Sequence, residues 1–330
     1  MTRRTIFLLF ALLLPVLIGA LLIGQFLLTP ISPPSGTEVT VHRGESFATI
    51  ARTLSTNGVV SDPLPLQLLA RWRRDGNRVQ AGTYSFSTKA TPGEILDRLV
   101  AGDVLRTTLT IPEGWTLREI AARIEAKGLA DAREILRLGQ DAGFVRALGI
   151  PAGSLEGYLF PETYSLAAGT PPERILQMMV TEFRRRLTPE LIAAARERGL
   201  DEHQLVTLAS IVQKEAGSEA EMPLIAAVFN NRLRRQMPLQ ADPTVIYGLA
   251  DFDGNLTRAH LAAKTPYNTY RIAGLPPGPI ASPGTAALTA AAHPAAVDYL
   301  YFVARGDGSH VFSATLAEHN RAVRRFQLHR

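Results

Sequence analysis

No charged residue occurs between Arg4 and Glu38, and inside that gap Ile6 to Leu28 is almost entirely Leu, Ile, Phe, Val, Ala and Gly. At a helical rise of ~1.5 Å per residue such a run reaches roughly 34 Å, enough to cross a hydrocarbon core of ~30 Å. Pro15, Gly19, Gly24 and Gln25 interrupt it, and all four are tolerated in a membrane helix. The competing reading is a cleaved signal peptide, whose apolar core spans ~7–15 residues and ends at a small-x-small site. This run is longer and ends in Phe26-Leu27-Leu28. The expectation is therefore a short cytoplasmic stub with an uncleaved anchor over residues 1–29, oriented by Arg3 and Arg4. The rest of the chain then lies on the far side of the membrane. Residues 30–36, rich in Pro and Ser, make an extended linker.

That exported part folds without cysteine. Disulfide scaffolds, zinc ribbons, thiol nucleophiles and iron–sulfur clusters are excluded together. The net charge of +5 over 330 residues is modest, and no nucleic-acid partner is expected.

An internal repeat organises the first half. Val41-His42-Arg43-Gly44-Glu45-Ser46-Phe47 leads into Ile50-Ala51, Leu54 and Gly58-Val59. Ile111-Pro112-Glu113-Gly114-Trp115-Thr116-Leu117 leads into Ile120-Ala121, Ile124 and Gly128-Leu129. Each copy reads as a strand end, a Gly turn, an N-capped amphipathic helix and a closing Gly. Thr116 with Glu119 is a capping box. A strand over 79–86, a helix over 92–100 and a strand over 105–111 complete a small α+β module.

The boundaries expected are 37–105 for this module and 106–330 for a larger mixed α+β domain, whose first part, 106–150, repeats the pattern. Helices are expected from Pro171 to Arg186, over 189–198, over 205–215, over 224–235 and from Thr315 onward. Strands 299–303 and 310–312 join through an Asp307-Gly308 turn. Arg184 to Arg186 read as a solvated helix end, with an acidic-polymer patch as the alternative.

Common catalytic signatures are missing: there is no Gly-x-Ser-x-Gly, Ser-x-x-Lys, P-loop or His-Glu-x-x-His, and the seven His show no metal-ligand spacing. No metal or other cofactor is implied, and carboxylate acid/base chemistry remains. Leu208, Ile211 and Glu215 share a helical stripe that is apolar before Glu215. Partial burial and the negative helix end both raise the pKa of a carboxyl placed there. A carboxylic acid protonated near neutral pH suits a general acid on a glycosidic oxygen; a solvated helix end or an Arg partner is the alternative. Downstream, Gln240 to Gly248, Pro266-Tyr267-Asn268-Thr269-Tyr270 and the stiff loop Gly274 to Ile280 combine amides, hydroxyls and aromatic faces, as a sugar cleft does. Ordinary turn chemistry is the alternative for each.

At these residues the chain resembles the bacterial endolytic murein transglycosylase family (MltG, YceG-like), with an N-terminal LysM-like module. The likeness runs through Ala81 to Tyr84, Ile111 to Leu117, Leu155 to Tyr164, Ala209 to Glu215, Asn231-Arg232-Leu233, Leu239 to Thr244, Pro266 to Tyr270, Gly274 to Ile280 and Tyr299 to Ala304. The family's usual Glu-Lys-Glu is Gln213-Lys214-Glu215 here; the retained second carboxylate corresponds to the family's catalytic Glu.

The resemblance implies non-hydrolytic cleavage of the MurNAc–GlcNAc bond of peptidoglycan, leaving 1,6-anhydro-MurNAc ends. Glu215 would be the single acid/base, with Gln240, Asp242, Tyr267, Asn268 and Tyr270 gripping the glycan. Glu156 and Glu221 match family positions at which a structural role is at least as plausible. It implies an inner-membrane protein facing the periplasm that cuts nascent strands beside the peptidoglycan synthases and ends their elongation. A non-catalytic glycan-binding scaffold, and a hydrolysing muramidase using Glu219 or Glu221, are the alternatives.

Overall fold

The computed structural model describes residues 3–328. The chain divides into two compact units, one running to Thr107 and including Ser165–Gly169, the other taking Thr108–Tyr164 and the chain from Thr170 onward.

The first unit begins with α1 (Arg3–Leu28). About half of the expected anchor, residues 1–12, 15, 16 and 20, has side chains that lie outside those described. Among the described residues no helix is long and apolar enough to cross a membrane. The linker is less free than its Pro/Ser composition suggests, because Ile31 and Ala90 exchange both backbone hydrogen bonds, at 2.8 and 3.0 Å.

Next come β1 (Thr37–Val41), α2 (Phe47–Thr56), α3 (Pro63–Arg73), β2 (Gly82–Phe86) and α4 (Pro92–Ala101). β1 and β2 pair antiparallel with Val39 opposite Tyr84. Alternation along the two strands sends Val39, Val41, Tyr84 and Phe86 to one face, where they bury with Ile50, Leu54, Leu66, Ile95 and Leu99. Each such side chain is worth roughly 1.5–3 kcal/mol of burial as an upper figure. The Tyr84 hydroxyl, forced inside, donates to the Gln80 carbonyl at 2.6 Å.

The second copy of the repeat takes the same local course as the first. β3 (Arg106–Thr110) leads to α5 (Leu117–Ala126), α6 (Ala132–Gly139), α7 (Ala142–Ala147) and β4 (Thr163–Ala167). β3 pairs with β4 in a second two-stranded sheet. Gly44 and Gly114 both turn through positive φ, 82° and 75°, a conformation that glycine adopts without strain. Ser46 caps α2 by accepting from the Thr49 amide, and Thr116 caps α5 in a box with Glu119.

The remaining elements are α8 (Pro172–Arg186), α9 (Pro189–Glu197), α10 (Glu202–Glu215), α11 (Met222–Arg234), α12 (Asp242–Tyr247), α13 (Arg258–Ala262), α14 (Thr285–Ala292), β5 (Tyr301–Ala304), β6 (His310–Ser313) and α15 (Leu316–Phe326). α10 is the hub, packed by α9, α11, α12 and α14. The sequence suggests one buried stripe on this helix; in fact every residue from Leu205 to Val212 is buried. α14 makes that possible, because its Ala-rich surface lets two backbones approach closely. The three arginines closing α8 are locally neutralised rather than forming a free basic patch: Arg184 pairs with Glu202, Arg185 and Arg186 with Glu182, and Arg186 also with Glu162.

Candidate active site

Glu215 is the last residue of α10. Its side chain lies deep among protein atoms yet is not fully closed off from solvent, and burial pushes its pKa up to about 8. The charge of Asp242 pushes the same way, and that of Arg232 opposes it. Among the described residues nothing hydrogen-bonds the Glu215 carboxyl, so no donor stabilises its anion. The turn that follows is held by contact. A Cβ on Gly217 would fall 2.0 Å from the Gly308 carbonyl oxygen of the β5–β6 turn, so only glycine fits beneath the acid.

Arg232, singled out in the sequence only as part of the family likeness, has a role here that the sequence did not assign. It sits on the α11 face that carries Ile225, Val228 and Phe229, and it is buried like them. Its Nε donates to the Leu300 carbonyl at 2.7 Å, and its Nη1 to the Leu239 carbonyl at 2.8 Å and to Gln240 Oε1 at 3.2 Å. Its guanidinium also lies over the Tyr301 ring, 5.3 Å from the centroid. An arginine interrupting an apolar 3–4 periodicity was the signal available for it. Burial lowers its pKa, and its charge acts on the Glu215 carboxyl, favouring the anion that burial disfavours.

The five expected glycan contacts do not share one fate. Gln240 is exposed, at a positive φ of 54°, and is tied by Arg232. Asp242 is exposed at the start of α12, where its Oδ1 accepts the Tyr270 hydroxyl at 2.6 Å. These three, with Arg232 and Glu215, form one group linked by hydrogen bonds and charge.

Tyr267 is half-buried on a different neighbour, its ring 4.7 Å from that of Tyr247. Asn268 is a correction to the sequence expectation, since it is fully buried. Its Nδ2 donates to the Leu261 and Ala263 carbonyls at 3.1 and 2.7 Å, and its Oδ1 accepts from the Tyr270 amide at 3.0 Å. It therefore holds the loop that presents Tyr267 and Tyr270 and offers a ligand no free atom. α12 occupies most of the polar stretch Gln240 to Gly248.

The loop Gly274 to Ile280 is strapped to α10 at two points. Ser210 Oγ accepts from the Ile280 amide at 3.0 Å. The His203 ring bridges it to Tyr158: Nε2 donates to the Pro277 carbonyl and Nδ1 accepts from the Tyr158 hydroxyl, both at 2.8 Å. At the position of the lost carboxylate, Gln213 Oε1 accepts from the Gly284 amide at 2.9 Å, and the Gln213 side chain also hydrogen-bonds Glu113.

Beside α10 and α12 opens a cavity of about 1050 Å³, on whose wall lie Leu117, Glu156, Lys214, Pro243, Tyr247 and Ile280. Glu156 is buried, and its pKa is pushed up to about 7 by that burial. Unlike Glu215 it is fully engaged. Both of its oxygens accept from the Leu117 amide, at 3.0 and 3.2 Å, and Oε2 also accepts the Tyr247 hydroxyl at 3.1 Å. Glu221 is engaged too, accepting from the His310 amide and ring Nδ1, both at 2.8 Å. Glu219 is exposed on a short 3₁₀ turn.

The sequence pattern of the YceG-like family matches residues 39–325. The chain belongs to the YceG-like family. It is 32% identical over 326 residues to a Bacillus subtilis protein named endolytic murein transglycosylase, covering 93% of this chain and 90% of that one. A Streptococcus pneumoniae protein of the same name is 31% identical over 330 residues; there the match covers 90% of this chain and 60% of the longer relative. Among solved structures, the crystal structure of a YceG-like protein from Listeria monocytogenes superposes with a TM-score of 0.60 at 31% identity, covering 87% of this chain and 98% of that one. The family match begins after α1 and includes Glu215, Arg232 and Asp242.

Proposed function

We propose that this chain is an endolytic lytic transglycosylase that cleaves the MurNAc–GlcNAc bond of peptidoglycan and leaves 1,6-anhydro-MurNAc ends. The observation that carries the reading is Glu215: a carboxyl pushed up to about 8, with no hydrogen-bond donor on its anion among the described residues, at the end of the central helix. It stands in a chain whose relatives are named endolytic murein transglycosylases. Such a group is protonated at neutral pH and able to give its proton to a leaving oxygen.

As the bond from C1 of MurNAc to the GlcNAc oxygen breaks, Glu215 protonates that oxygen. The C6 hydroxyl of the same MurNAc then closes on C1 and returns its proton to the Glu215 carboxylate. No water enters and no second catalytic carboxylate is required, whereas hydrolysis requires one. Asp242 lies near enough to act on Glu215 electrostatically, which suits it to stabilise the positive ring of the transition state. Gln240, Tyr267 and Tyr270 are proposed to grip the glycan, and Asn268 to position them.

We extend the reading to the first unit and to α1. The strand–helix–helix–strand course of residues 37–86 supports a LysM-like module that positions glycan strands. The apolar run Ile6 to Leu28 supports an inner-membrane anchor with its N-terminus in the cytoplasm. An enzyme held this close to the membrane would cut nascent strands beside the synthases and so end their elongation.

One experiment tests the core of the reading: the full chain in detergent is incubated with purified glycan strands, and the new ends are identified by mass spectrometry. Anhydro ends are expected. Reducing MurNAc ends would instead mean that water is the nucleophile, with Asp242 the carboxylate placed to direct it. No cleavage at all would favour a glycan-binding scaffold.

A further inference from the structure

α3 carries two apolar stripes on opposite sides. Leu66 and Ala70 are buried in the core of the first unit, whereas Leu64, Leu68 and Trp72 are 60%, 44% and 81% exposed. Their spacing of four residues sets the exposed three on one face, which among the described residues stays open to solvent. At the same end of the helix Arg71 and Arg74 are exposed, and among the described residues neither is ion-paired. Arg73, between them, is taken up by Asp75 and Asp97. A shallow cavity of about 480 Å³ runs along this face, with Phe47, Leu64 and Leu68 on its apolar wall and Arg71 and Arg74 among the residues that bound it.

The element packed against α3 points to what covers the face. α1 packs against α3 and α4, and Phe26, near its end, packs against the buried core of the same unit. The pairing of Ile31 with Ala90 then closes the linker onto the unit. The unit is thus seated on the end of α1 rather than swinging from a tether. Whatever α1 enters, α3 lies beside it, within about one helix diameter of ~10 Å.

We propose that the Leu64–Leu68–Trp72 face of α3 docks on the surface of the membrane that α1 spans, its arginines binding anionic phospholipid headgroups. This rests on the anchoring reading of α1. The chemistry matches an interfacial helix: leucines reach the acyl boundary, a tryptophan sits at headgroup level and arginines meet the lipid phosphates. Docking would fix the height and tilt of the unit above the bilayer, which a single anchor leaves free.

The test uses the full chain reconstituted into vesicles of phosphatidylcholine with phosphatidylglycerol, and into vesicles of phosphatidylcholine alone. Both carry bromine on shallow acyl positions as a contact quencher. The chain has two tryptophans, so subtracting the signal of Trp72→Phe isolates Trp72 from Trp115. Blue-shifted Trp72 emission that loses most of its intensity in the brominated anionic vesicles is expected. Each arginine near an anionic surface favours the docked state about fivefold, so Arg71→Glu with Arg74→Glu should restore most of the intensity.

Flotation of the vesicles reports anchoring separately. A chain that floats while Trp72 stays unquenched with water-like emission overturns the docking and leaves the anchor standing. A chain that does not float overturns both. Emission that responds to purified glycan strands and not to brominated lipid assigns the face to glycan and overturns the proposal.

Discussion

Glu215 and Glu156 are both carboxyls raised by burial within the same unit, to about 8 and about 7, and they differ in what their oxygens touch. Glu156 accepts from the Leu117 amide and the Tyr247 hydroxyl, so its burial is compensated and it staples the start of α5 to the end of α12. Among the described residues nothing donates to Glu215, and the charges of Asp242 and Arg232 act on it. Its burial is uncompensated, which destabilises the fold and poises a proton. A raised pKa alone would nominate both residues as the acid, and the hydrogen-bond partners separate them. The comparison also bears on the muramidase alternative, because Glu221, like Glu156, has its oxygens occupied.

The largest expected effect breaks the pair apart. Glu215→Gln removes the proton donor and should lower strand cleavage by about 10²–10⁴-fold, with circular dichroism preserved and no loss of stability. If Glu215→Gln retains wild-type cleavage in the end-group assay, Glu215 is not the acid.

Glu156→Ala is expected to do the reverse. It leaves the Leu117 amide and the Tyr247 hydroxyl without their acceptor, and each such loss costs ~1–3 kcal/mol. Urea unfolding should therefore show a loss of about 2–4 kcal/mol, with cleavage per folded molecule largely kept. Loss of cleavage at unchanged stability would make Glu156 a second member of the chemistry.

Smaller effects concern the tuning of Glu215. With a carboxyl that must be protonated and a pKa near 8, kcat/KM should fall as pH rises through that value. Asp242→Asn removes the negative charge that raises Glu215, so its pKa drops and this alkaline limb moves to lower pH. A limb that moves upward, or stays, would mean that Asp242 does not act on Glu215.

Much of this arrangement was legible in the residues. The repeat of Gly turn, Ser or Thr cap and 3–4 apolar spacing is local physics, and both copies fold as that physics requires. Glu215 was legible because it breaks an apolar helical run at its end. Asn268 was not, because composition says that an amide is present but not which way it points; here it points inward, onto backbone carbonyls. α14 was missed for another reason: Thr-Ala-Ala-Leu-Thr-Ala-Ala-Ala has no periodicity to betray a helix that is wedged against α10 and α11 rather than lying on a surface. Arg232 was hidden in plain view, since its carbonyl partners at 238, 239 and 300 come from segments that only the tertiary fold brings together.

The subtlest expectation concerns stability against pH. An acid whose folded pKa is raised binds its proton more tightly in the native state, so the native fold is favoured most below the unfolded value of 4.5. That advantage is lost progressively as pH rises from there to about 8, and stays lost above it. Gln at 215 carries no charge in either state and escapes the loss. Glu215→Gln should therefore gain stability relative to wild type between pH 5 and pH 8, by about 1–3 kcal/mol once partial solvent access to the carboxyl is allowed for. Glu156 titrates in an overlapping window in both proteins and cancels in the difference. A stability difference that stays flat with pH would mean that Glu215 ionises as easily folded as unfolded. The site would then hold no protonated acid at neutral pH, and the contrast with Glu156 would collapse.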